Sequence, residues 1–216
     1  MSLEVGAILG IPGLTACHAV FGQGEVADKT VLVQGGAGTV GLLAVQLAKW
    51  GGARVIATCG ATGRDRALAA GADVVLDYRA KDLAAQILQA NSAMPVDLIV
   101  EVEFGLNIET DAQVIAENGC IAAYGSAQEM SPRLPFVTLL FKAVRLEIIL
   151  VYLLTEAERA AAIFRLHAAL SAGALSFDIQ KVYNLSEACR AHEAVEAGAR
   201  QGAVLIQMGE NLSEQE

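Results

Sequence analysis

The chain has 216 residues, of which 54% are hydrophobic and only 18% are charged. A chain of this length and composition can bury a large core without disulfides or metals, which excludes intrinsic disorder. Acidic residues outnumber basic ones by 24 to 15, and the resulting net charge of −9 has the wrong sign for binding nucleic acid or an anionic membrane.

Cysteine and histidine spacing predicts neither a metal site nor a disulfide framework. The four cysteines and three histidines form no CxxC pair and no HxxxH pattern. The N-terminal segment MSLEVGAILGIPG has no basic residue, and no run reaches about 18 consecutive apolar residues, so neither a signal peptide nor a membrane span is indicated. We therefore expect a reduced, cytoplasmic protein that binds no metal, no nucleic acid and no membrane.

Short β-branched runs alternate regularly with Ala-rich helical segments up to Tyr124. The predicted strands are Lys29–Gln34, Arg54–Thr58, Val74–Asp77, Val96–Val100 and Gly119–Tyr124. The predicted helices between them are Thr39–Trp50, Arg64–Ala70, Lys81–Ala90 and Ile108–Glu117. Strands that are apolar on both faces and separated by helices indicate a parallel sheet covered on both sides. The sequence therefore predicts an α/β fold with a doubly wound, Rossmann-type parallel sheet.

The pattern changes after Tyr124. A long apolar strand is predicted over Leu146–Leu154, followed by a helix to Ala172 with Thr155 as its N-cap. The remaining elements are a strand over Ile179–Tyr183, a helix over Glu187–Ala197 capped by Ser186, and a strand over Ala203–Met208. We place a Rossmann-type domain with its preceding helix at residues 1–174 and a C-terminal α/β extension at residues 175–216.

The most informative motif is the glycine-rich segment Gly35–Gly41, GGAGTVG. Gly36, Gly38 and Gly41 match the GxGxxG fingerprint of dinucleotide sites, between the first predicted strand and the helix after it. In that pattern Gly36 permits a tight turn, Gly38 lets the backbone touch the pyrophosphate, and Gly41 lets the helix pack closely. The free amides at the helix N-terminus bind phosphate. Cofactor contacts are therefore predicted for Gly36, Ala37, Gly38, Thr39, Val40 and Gly41, the alternative being a turn that serves packing alone.

The end of the second strand favours NADP(H) over NAD(H). An NAD site has an acidic residue there for the ribose hydroxyls, whereas residues 29–64 contain none. After Thr58 the chain instead has Gly60 and then Arg64 and Arg66, which suit a 2′-phosphate. Either arginine could face solvent in the first helical turn, so the choice between the two stays open.

Other glycine-rich loops are excluded by the neighbouring residues. A P-loop needs Lys and Ser or Thr after its last glycine, but Gly41 is followed by Leu42 and Leu43. A hydrolase nucleophile elbow needs GxSxG, and the segment at Ser126 lacks the second glycine.

Several segments together resemble the medium-chain dehydrogenases/reductases, specifically the zinc-independent quinone reductase (zeta-crystallin-like) branch. These segments are GIPGLTACHAVF, KTVLVQGGAGTVGLLAVQLAKWGGARVIAT, AGADVVLDYR, VDLIVEVEFG, AENGCIAAYGS and EACRAHEAVEAGARQGAVLI. The resemblance extends from about Gly10 to Met208. It implies that a GroES-like catalytic domain would precede the GIPGLTA segment, and we expect that domain to be absent from this chain.

The resemblance also implies cofactor contacts at individual positions. It places the phosphate loop at Gly36–Gly41 and the 2′-phosphate region at Thr58, Gly60 and the two arginines. Tyr78 matches a tyrosine beside the adenosine phosphate. Positions near the nicotinamide are Thr15, Tyr124, Gly125 and Ser126. Glu103 lies in an acidic loop under the cofactor, and we interpret it as structural.

The predicted strand Leu146–Leu154 matches the edge strand through which family members form dimers. An apolar edge strand is prone to aggregate unless it is covered, so pairing with a second copy is also the physical expectation. The alternative is a central strand in a monomer. His18, His167 and His192 are interpreted as packing or surface residues.

The resemblance implies that the intact protein transfers hydride from NADPH to a quinone or another conjugated carbonyl such as an enone. No side chain is identified as an acid or nucleophile, so the catalytic residues stay unknown. We expect the 216-residue chain alone to bind cofactor with little turnover. The alternatives are a non-enzymatic NADPH-binding or assembly module and an alcohol dehydrogenase-type reductase.

Overall fold

Six parallel strands form one continuous sheet in a computed structural model that describes residues 2–198 and 201–209. The strands are β1 (Thr30–Val33), β2 (Arg54–Cys59), β3 (Val74–Asp77), β4 (Val96–Glu101), β5 (Ile115–Ala123) and β6 (Arg145–Ile148). Their order is β3-β2-β1-β4-β5-β6, which is the Rossmann order, and the predicted fold class is confirmed.

Helices cover both faces of this sheet. They are α1 (Leu3–Ile8), α2 (Leu14–Phe21), α3 (Thr39–Trp50), α4 (Arg64–Ala69), α5 (Leu83–Ala90), α6 (Phe104–Val114), α7 (Phe136–Phe141), α8 (Glu156–Ser171) and α9 (Ala188–Glu196). One core lies between the sheet and α2, α3 and α8, and the other lies between the sheet and α5 and α6. Successive strand residues alternate between the two cores: Val31 and Val33 face the first, and Leu32 faces the second.

The N-terminal helices form one continuous helical run from Leu3 to Phe21. A π-helical segment, Leu9–Gly13, joins α1 to α2 and contains Pro12, which cannot donate a backbone hydrogen bond. The run has 19 residues and a mean hydropathy of 1.5, so its length and composition would suffice to span a membrane. Half of its apolar stretch is buried inside the protein, because α2 packs between α3 and α8.

The boundary between α6 and β5 differs from the prediction. The helix covers Phe104–Val114 rather than Ile108–Glu117, and the chain enters β5 directly at Ile115. The ammonium of Lys142 donates to the carbonyl oxygens of Ala112 at 2.8 Å, Gln113 at 3.0 Å and Ile115 at 2.8 Å. A distant lysine therefore satisfies the carbonyls at the helix end and replaces a local cap.

The predicted strand Leu146–Leu154 is wrong in extent. Strand β6 ends at Ile148, and Val151–Leu153 forms a 3₁₀ turn. Pairing stops because β5 ends at Ala123, whose carbonyl accepts the last bond, from the amide of Ile149 at 2.8 Å. Within the described chain β6 is an edge strand, so the alternative of a central strand is excluded.

The C-terminal part forms a separate two-stranded parallel sheet. Strands β7 (Ile179–Asn184) and β8 (Ala203–Gln207) pair with each other, and α9 packs against both. Ser186 does not cap this helix as predicted, because it lies inside a 3₁₀ turn at Leu185–Glu187. The capping box there is formed by Asn184 and Glu187. The domain boundary predicted after residue 174 falls between α8 and β7 and stays a prediction.

Candidate functional site

The glycine-rich loop joins β1 to α3 at the carboxyl edge of the sheet. This is the point where the strand order reverses, since β1 lies between β2 and β4. In sheets of this type the crevice at such a reversal is the usual ligand site. The fold and the sequence therefore indicate the same loop as the ligand site.

Different structural reasons favour glycine at different positions of the loop. Gly35, rather than Gly36, adopts the left-handed conformation, with φ at +71°. A Cβ at Gly36 would lie 2.7 Å from the Cβ of Ala57, and one at Gly41 would collide with the carbonyl of Gly35. A Cβ at Gly38 would meet only the Gly35 carbonyl oxygen, at 3.4 Å. The protein leaves room at Gly38, as a site for a close ligand requires.

The loop presents free amides at the start of α3. The helix has 12 residues, Gly38 is its N-cap, and no side chain caps it. The first amides of a helix, here those of Thr39, Val40 and Gly41, have no acceptor within the helix. Together with the positive end of the helix dipole they form a site for an anion.

A cleft of about 640 Å³ opens above this loop. Five of the six strands of the main sheet contribute residues at or just after their carboxyl ends. The cleft is lined by Gly35, Ala37, Gly38, Thr39, Val40 and Gly41 of the loop; by Cys59, Gly60, Tyr78, Val102 and Tyr124 after the next four strands; and by Ala7, Ile8, Pro12, Ala203, Val204 and Leu205. Its walls on the open side are thus α1 with the π-helical segment, and β8.

The two predicted arginines have different surroundings. Arg64 is exposed, and its Nη1 donates to the carbonyl of Val75 at 2.6 Å. Arg66 lines a neighbouring cleft of about 430 Å³ that shares Ala37, Gly38 and Gly60 with the first. Its Nη2 donates to the carbonyl of Ala37 at 2.6 Å, while Nε and Nη1 are buried with no acceptor among the described residues. Arg66 therefore has free donors at the loop, and Arg64 is bonded to β3.

A third cation at this end of the cleft was missed by sequence reasoning. The guanidinium of Arg79 lies 4.4 Å from the centre of the Tyr78 ring, and Nη1 would be 3.4 Å from a Cβ at Gly60. Tyr78 itself is 49% exposed in the cleft. The available signal was the position of Arg79, directly after a residue already assigned to the adenosine side.

Six predicted positions do not line either cleft in the described chain: Thr15, Gly36, Thr58, Arg64, Gly125 and Ser126. Thr15, in α2, donates its hydroxyl to the carbonyl of Ile11 in the π-helical segment at 2.8 Å. Thr58 is fully buried and donates to Oε1 of Gln34 at 2.6 Å. Ser126 donates to the carbonyl of Glu129 and accepts the amide of Gly105 at 2.8 Å. Gly125 packs on the carbonyl of Val102, where a Cβ would collide.

The remaining candidates have structural surroundings. Glu103 accepts the amides of Ala127 at 3.1 Å and Gln128 at 2.8 Å, so it orders the loop after β5. Burial raises the pKa of the Cys59 thiol. His18 is buried, and its Nε2 lies 2.8 Å from Oε1 of Glu147. His167 and His192 are exposed helix residues.

Sequence reasoning also missed a buried carboxyl pair beneath the loop. Glu101 ends β4, Asp111 lies on α6, and both are fully buried. Burial raises the pKa of each, and the nearby charge of Glu101 further raises the pKa of Asp111. Nε2 of Gln34 donates to Oδ1 of Asp111 at 3.0 Å. The available signal was an acidic residue at the end of a buried strand.

No group of three His, Cys, Asp or Glu side chains that could hold a metal occurs within residues 2–198 and 201–209.

Comparison with known proteins gives consistent results. Residues 39–167, more than half of the chain, match the family described as zinc-binding dehydrogenase. Quinone oxidoreductase from Sus scrofa is 29% identical over 199 residues, which cover 90% of this chain and 59% of that protein. This chain thus spans about 59% of the length of that relative.

Solved structures agree in fold. Escherichia coli quinone oxidoreductase complexed with NADPH aligns with a TM-score of 0.85 and 28% identity, over 96% of this chain and 66% of that chain. An NAD-dependent alcohol dehydrogenase aligns with a TM-score of 0.85 and 28% identity, over 97% of this chain and 60% of that chain. The resemblance to medium-chain dehydrogenases/reductases is confirmed, and the chain belongs to the zinc-binding dehydrogenase family.

Proposed function

We propose that this chain is the NADP(H)-binding part of a zinc-independent oxidoreductase that transfers hydride from NADPH to a quinone or another conjugated carbonyl. The observation that carries the cofactor choice is the pair of buried Arg66 nitrogens, Nε and Nη1, which have no acceptor in the described chain. Buried guanidinium N–H groups without acceptors are costly, and phosphate oxygens would accept charge-assisted hydrogen bonds from them. The end of β2 carries Cys59 and Gly60 where an NAD site would have an acidic residue.

The cleft has a suitable partner for each part of the cofactor. The amides of Thr39, Val40 and Gly41 would bind the pyrophosphate, with the backbone of Ala37 and Gly38 against it. Gly60 and Tyr78 would contact the adenosine, with Arg66 at its 2′-phosphate and Arg79 nearby. Val102, Tyr124 and Pro12 line the opposite end, where the nicotinamide would lie. NADPH when bound supplies the hydride, and the chain orients it and excludes water.

The substrate class rests on the relatives. The Sus scrofa and Escherichia coli proteins are quinone oxidoreductases, and the latter binds NADPH. This chain spans about 59% of the first and 66% of the second. We propose that the substrate cleft is completed by a GroES-like domain outside these residues, and that the chain alone binds cofactor with little turnover. Turnover by the chain alone would contradict this.

We also propose a homodimer formed through β6. In the part of the chain that the structure describes, this strand has a neighbour on one side only, and Ile148 is 69% exposed on it. Phe141 at the end of α7 is 82% exposed. Pairing with a second copy would cover both the open backbone edge and these apolar side chains. A cytoplasmic location is proposed from composition alone.

The test of cofactor choice is calorimetric titration of the chain with NADPH and NADH. Arg66→Ala should weaken NADPH binding about tenfold to a hundredfold, as the loss of charge-assisted hydrogen bonds to the phosphate predicts, and leave NADH binding unchanged. Arg64→Ala is the matched control, because Arg64 is bonded to Val75, and it should affect neither cofactor. Equal affinity of the wild-type chain for both cofactors would contradict the assignment of NADP(H).

A further inference from the structure

A continuous hydrogen-bond chain connects the buried carboxyl pair to the glycine-rich loop. The amide of Gly35 donates to Oγ1 of Thr58 at 3.3 Å, and that hydroxyl donates to Oε1 of Gln34 at 2.6 Å. Nε2 of Gln34 donates to Oδ1 of Asp111 at 3.0 Å, and the carboxyl of Asp111 is in hydrogen-bond contact with Glu101. The chain crosses from β2 through β1 to α6 and β4, beneath the cleft.

The direction of this chain follows from its first link. A backbone amide can only donate, so the Thr58 hydroxyl accepts from Gly35 and uses its single proton on Gln34. Gln34 therefore presents its NH₂ group to Asp111, which must offer an acceptor at Oδ1. Oδ2 of Asp111 is buried and has no N–H or O–H donor in the described chain. A proton on Oδ2, donated to Glu101, satisfies both carboxyl groups.

The hydrogen bonds to Glu101 favour this residue as the charged member of the pair. Its carboxylate accepts the backbone amide of Glu103, and Nδ2 of Asn107 donates to its two oxygens at 3.0 and 3.2 Å. These donors favour its ionised form, whereas Asp111 receives, from the residues that the structure describes, only the Gln34 amide. Burial and the Glu101 charge together raise the pKa of Asp111 well above the ordinary aspartate value.

Among the described residues, no cation acts on the pKa of either carboxyl group. Helices α5 and α7, which pack against α6, have no charged side chain. Strand β5 contributes Glu117 and Cys120, and β4 contributes the exposed Asp97. Lys142 binds the carbonyls of Ala112 and Gln113 in the last turn of α6, where the charge of Glu117 acts on it. Tyr124, after β5, stays neutral because burial and Glu101 raise its pKa.

We propose that Asp111 is a positioning residue for the dinucleotide loop: as a neutral acid it donates to Glu101 and holds the hydrogen-bond chain that ends on the Gly35 amide. Thr58 holds two successive loop residues, since its carbonyl also accepts the amide of Gly36 at 2.8 Å. Gly41 at the start of α3 packs on the Gly35 carbonyl, so movement of Gly35 displaces the amides that face the cleft. The consequence for cofactor binding rests on the proposed function.

The first test measures the loop without any ligand. Hydrogen exchange of the Gly35 amide, corrected for intrinsic rate, is followed against pH in the wild-type chain and in Asp111→Asn. Asparagine reproduces the neutral acid, because its Oδ1 accepts from Gln34 and its NH₂ donates to Glu101. We expect wild-type protection to fall about tenfold or more as Asp111 loses its proton, and protection in Asp111→Asn to persist. Equal exchange in the two proteins at every pH would overturn the proposal.

The stability of the ligand-free chain gives a second readout. A raised pKa means that the folded chain binds more protons than the unfolded chain, so stability falls as pH rises from the ordinary aspartate value towards the folded-state value. Asp111→Asn should show a smaller decline. Asp97→Asn is the matched control at the other end of β4, where the carboxylate accepts the amide of Thr30 at 2.8 Å in an exposed setting. The Asp97→Asn protein should show the same decline in stability as the wild-type chain. If the wild-type chain itself showed no decline, a neutral Asp111 would be contradicted.

The third readout is NADPH affinity across the same pH range. The ligand's own phosphate titrates, so affinity is compared as the ratio of each variant to wild type. The ratio for Asp111→Asn should rise with pH, and the ratio for Asp97→Asn should stay constant. If no protein binds NADPH, the proposed function fails, while the exchange of Gly35 still decides the role of Asp111. A flat Asp111→Asn ratio alongside normal binding would overturn the positioning role.

Discussion

Alanine at Gly41 and at Gly38 should separate the folding role of the loop from its binding role. A Cβ at residue 41 would collide with backbone atoms of Gly35 and Gly36. No flexible side chain is involved that could turn away. The backbone must therefore move. Overpacking of this kind costs about 1–3 kcal/mol. For a chain of this length that corresponds to a fall in Tm of about 2–12 °C.

Gly38→Ala is the matched substitution in the same loop. The added Cβ would meet only the Gly35 carbonyl oxygen at 3.4 Å, and the backbone at residue 38 has φ −77° and ψ 167°, which alanine adopts freely. The unfolding free energy should stay within about 0.5 kcal/mol of wild type. The methyl group would project where the pyrophosphate is proposed to lie. NADPH affinity should therefore fall about tenfold or more, or about 1.4 kcal/mol.

The two variants are compared by thermal unfolding without ligand and by calorimetric titration with NADPH. We expect Gly41→Ala to lose stability but not NADPH affinity per folded chain, and Gly38→Ala to lose NADPH affinity but not stability. Wild-type stability of Gly41→Ala would refute the steric argument. Wild-type NADPH affinity of Gly38→Ala, in a chain that binds NADPH, would refute the placement of the pyrophosphate.

Two further predictions concern parts of the fold outside the cleft. Lys142→Met removes the donor to three carbonyls at the end of α6. It should lower the free energy of unfolding, measured by chemical denaturation, by about 2 kcal/mol. The control Lys49→Met breaks only a partly exposed ion pair with Asp73 and should cost about 0–1 kcal/mol. Equal losses in the two variants would contradict the capping role. Ile148→Lys should convert a dimer to a monomer in sedimentation velocity, whereas the control Ile179→Lys on β7 should leave the dimer intact. A wild-type chain that is monomeric at all concentrations would exclude pairing through β6.

Much of the fold follows from local pattern. The residues of β1 to β5 are apolar on both faces because each face of the sheet is covered, so their positions were predicted to within a few residues. The errors occur where distant residues decide the outcome. Lys142 ends α6 from 30 residues away in sequence, and β6 stops where its only neighbour in the described sheet stops. Neither event leaves a signal in the segment that it changes.

The same difference between local pattern and distant contacts explains which parts of the site could be predicted. The glycine spacing and the missing acid at the end of the second strand are local chemical features, and they indicated the dinucleotide loop and its preference directly. The direction in which a side chain points is not local. Thr58 and Ser126 have the right chemistry for a ligand, yet their hydroxyls are bonded to Gln34 and Glu129. Arg64 and Arg66 are two residues apart on a helix and face different partners, because 3.6 residues per turn place them on different sides.

The sequence by itself determined the class of fold, the family and the loop that faces the cleft. Each depends on residue type at fixed spacing, which sterics and hydrophobic burial translate into structure over short distances. Only the tertiary structure decided which arginine keeps free donors and where β6 ends. It alone brought Glu101 and Asp111 together beneath the loop. Those outcomes depend on contacts between residues far apart in the chain, and such contacts exist only once the sheet and its helices have packed.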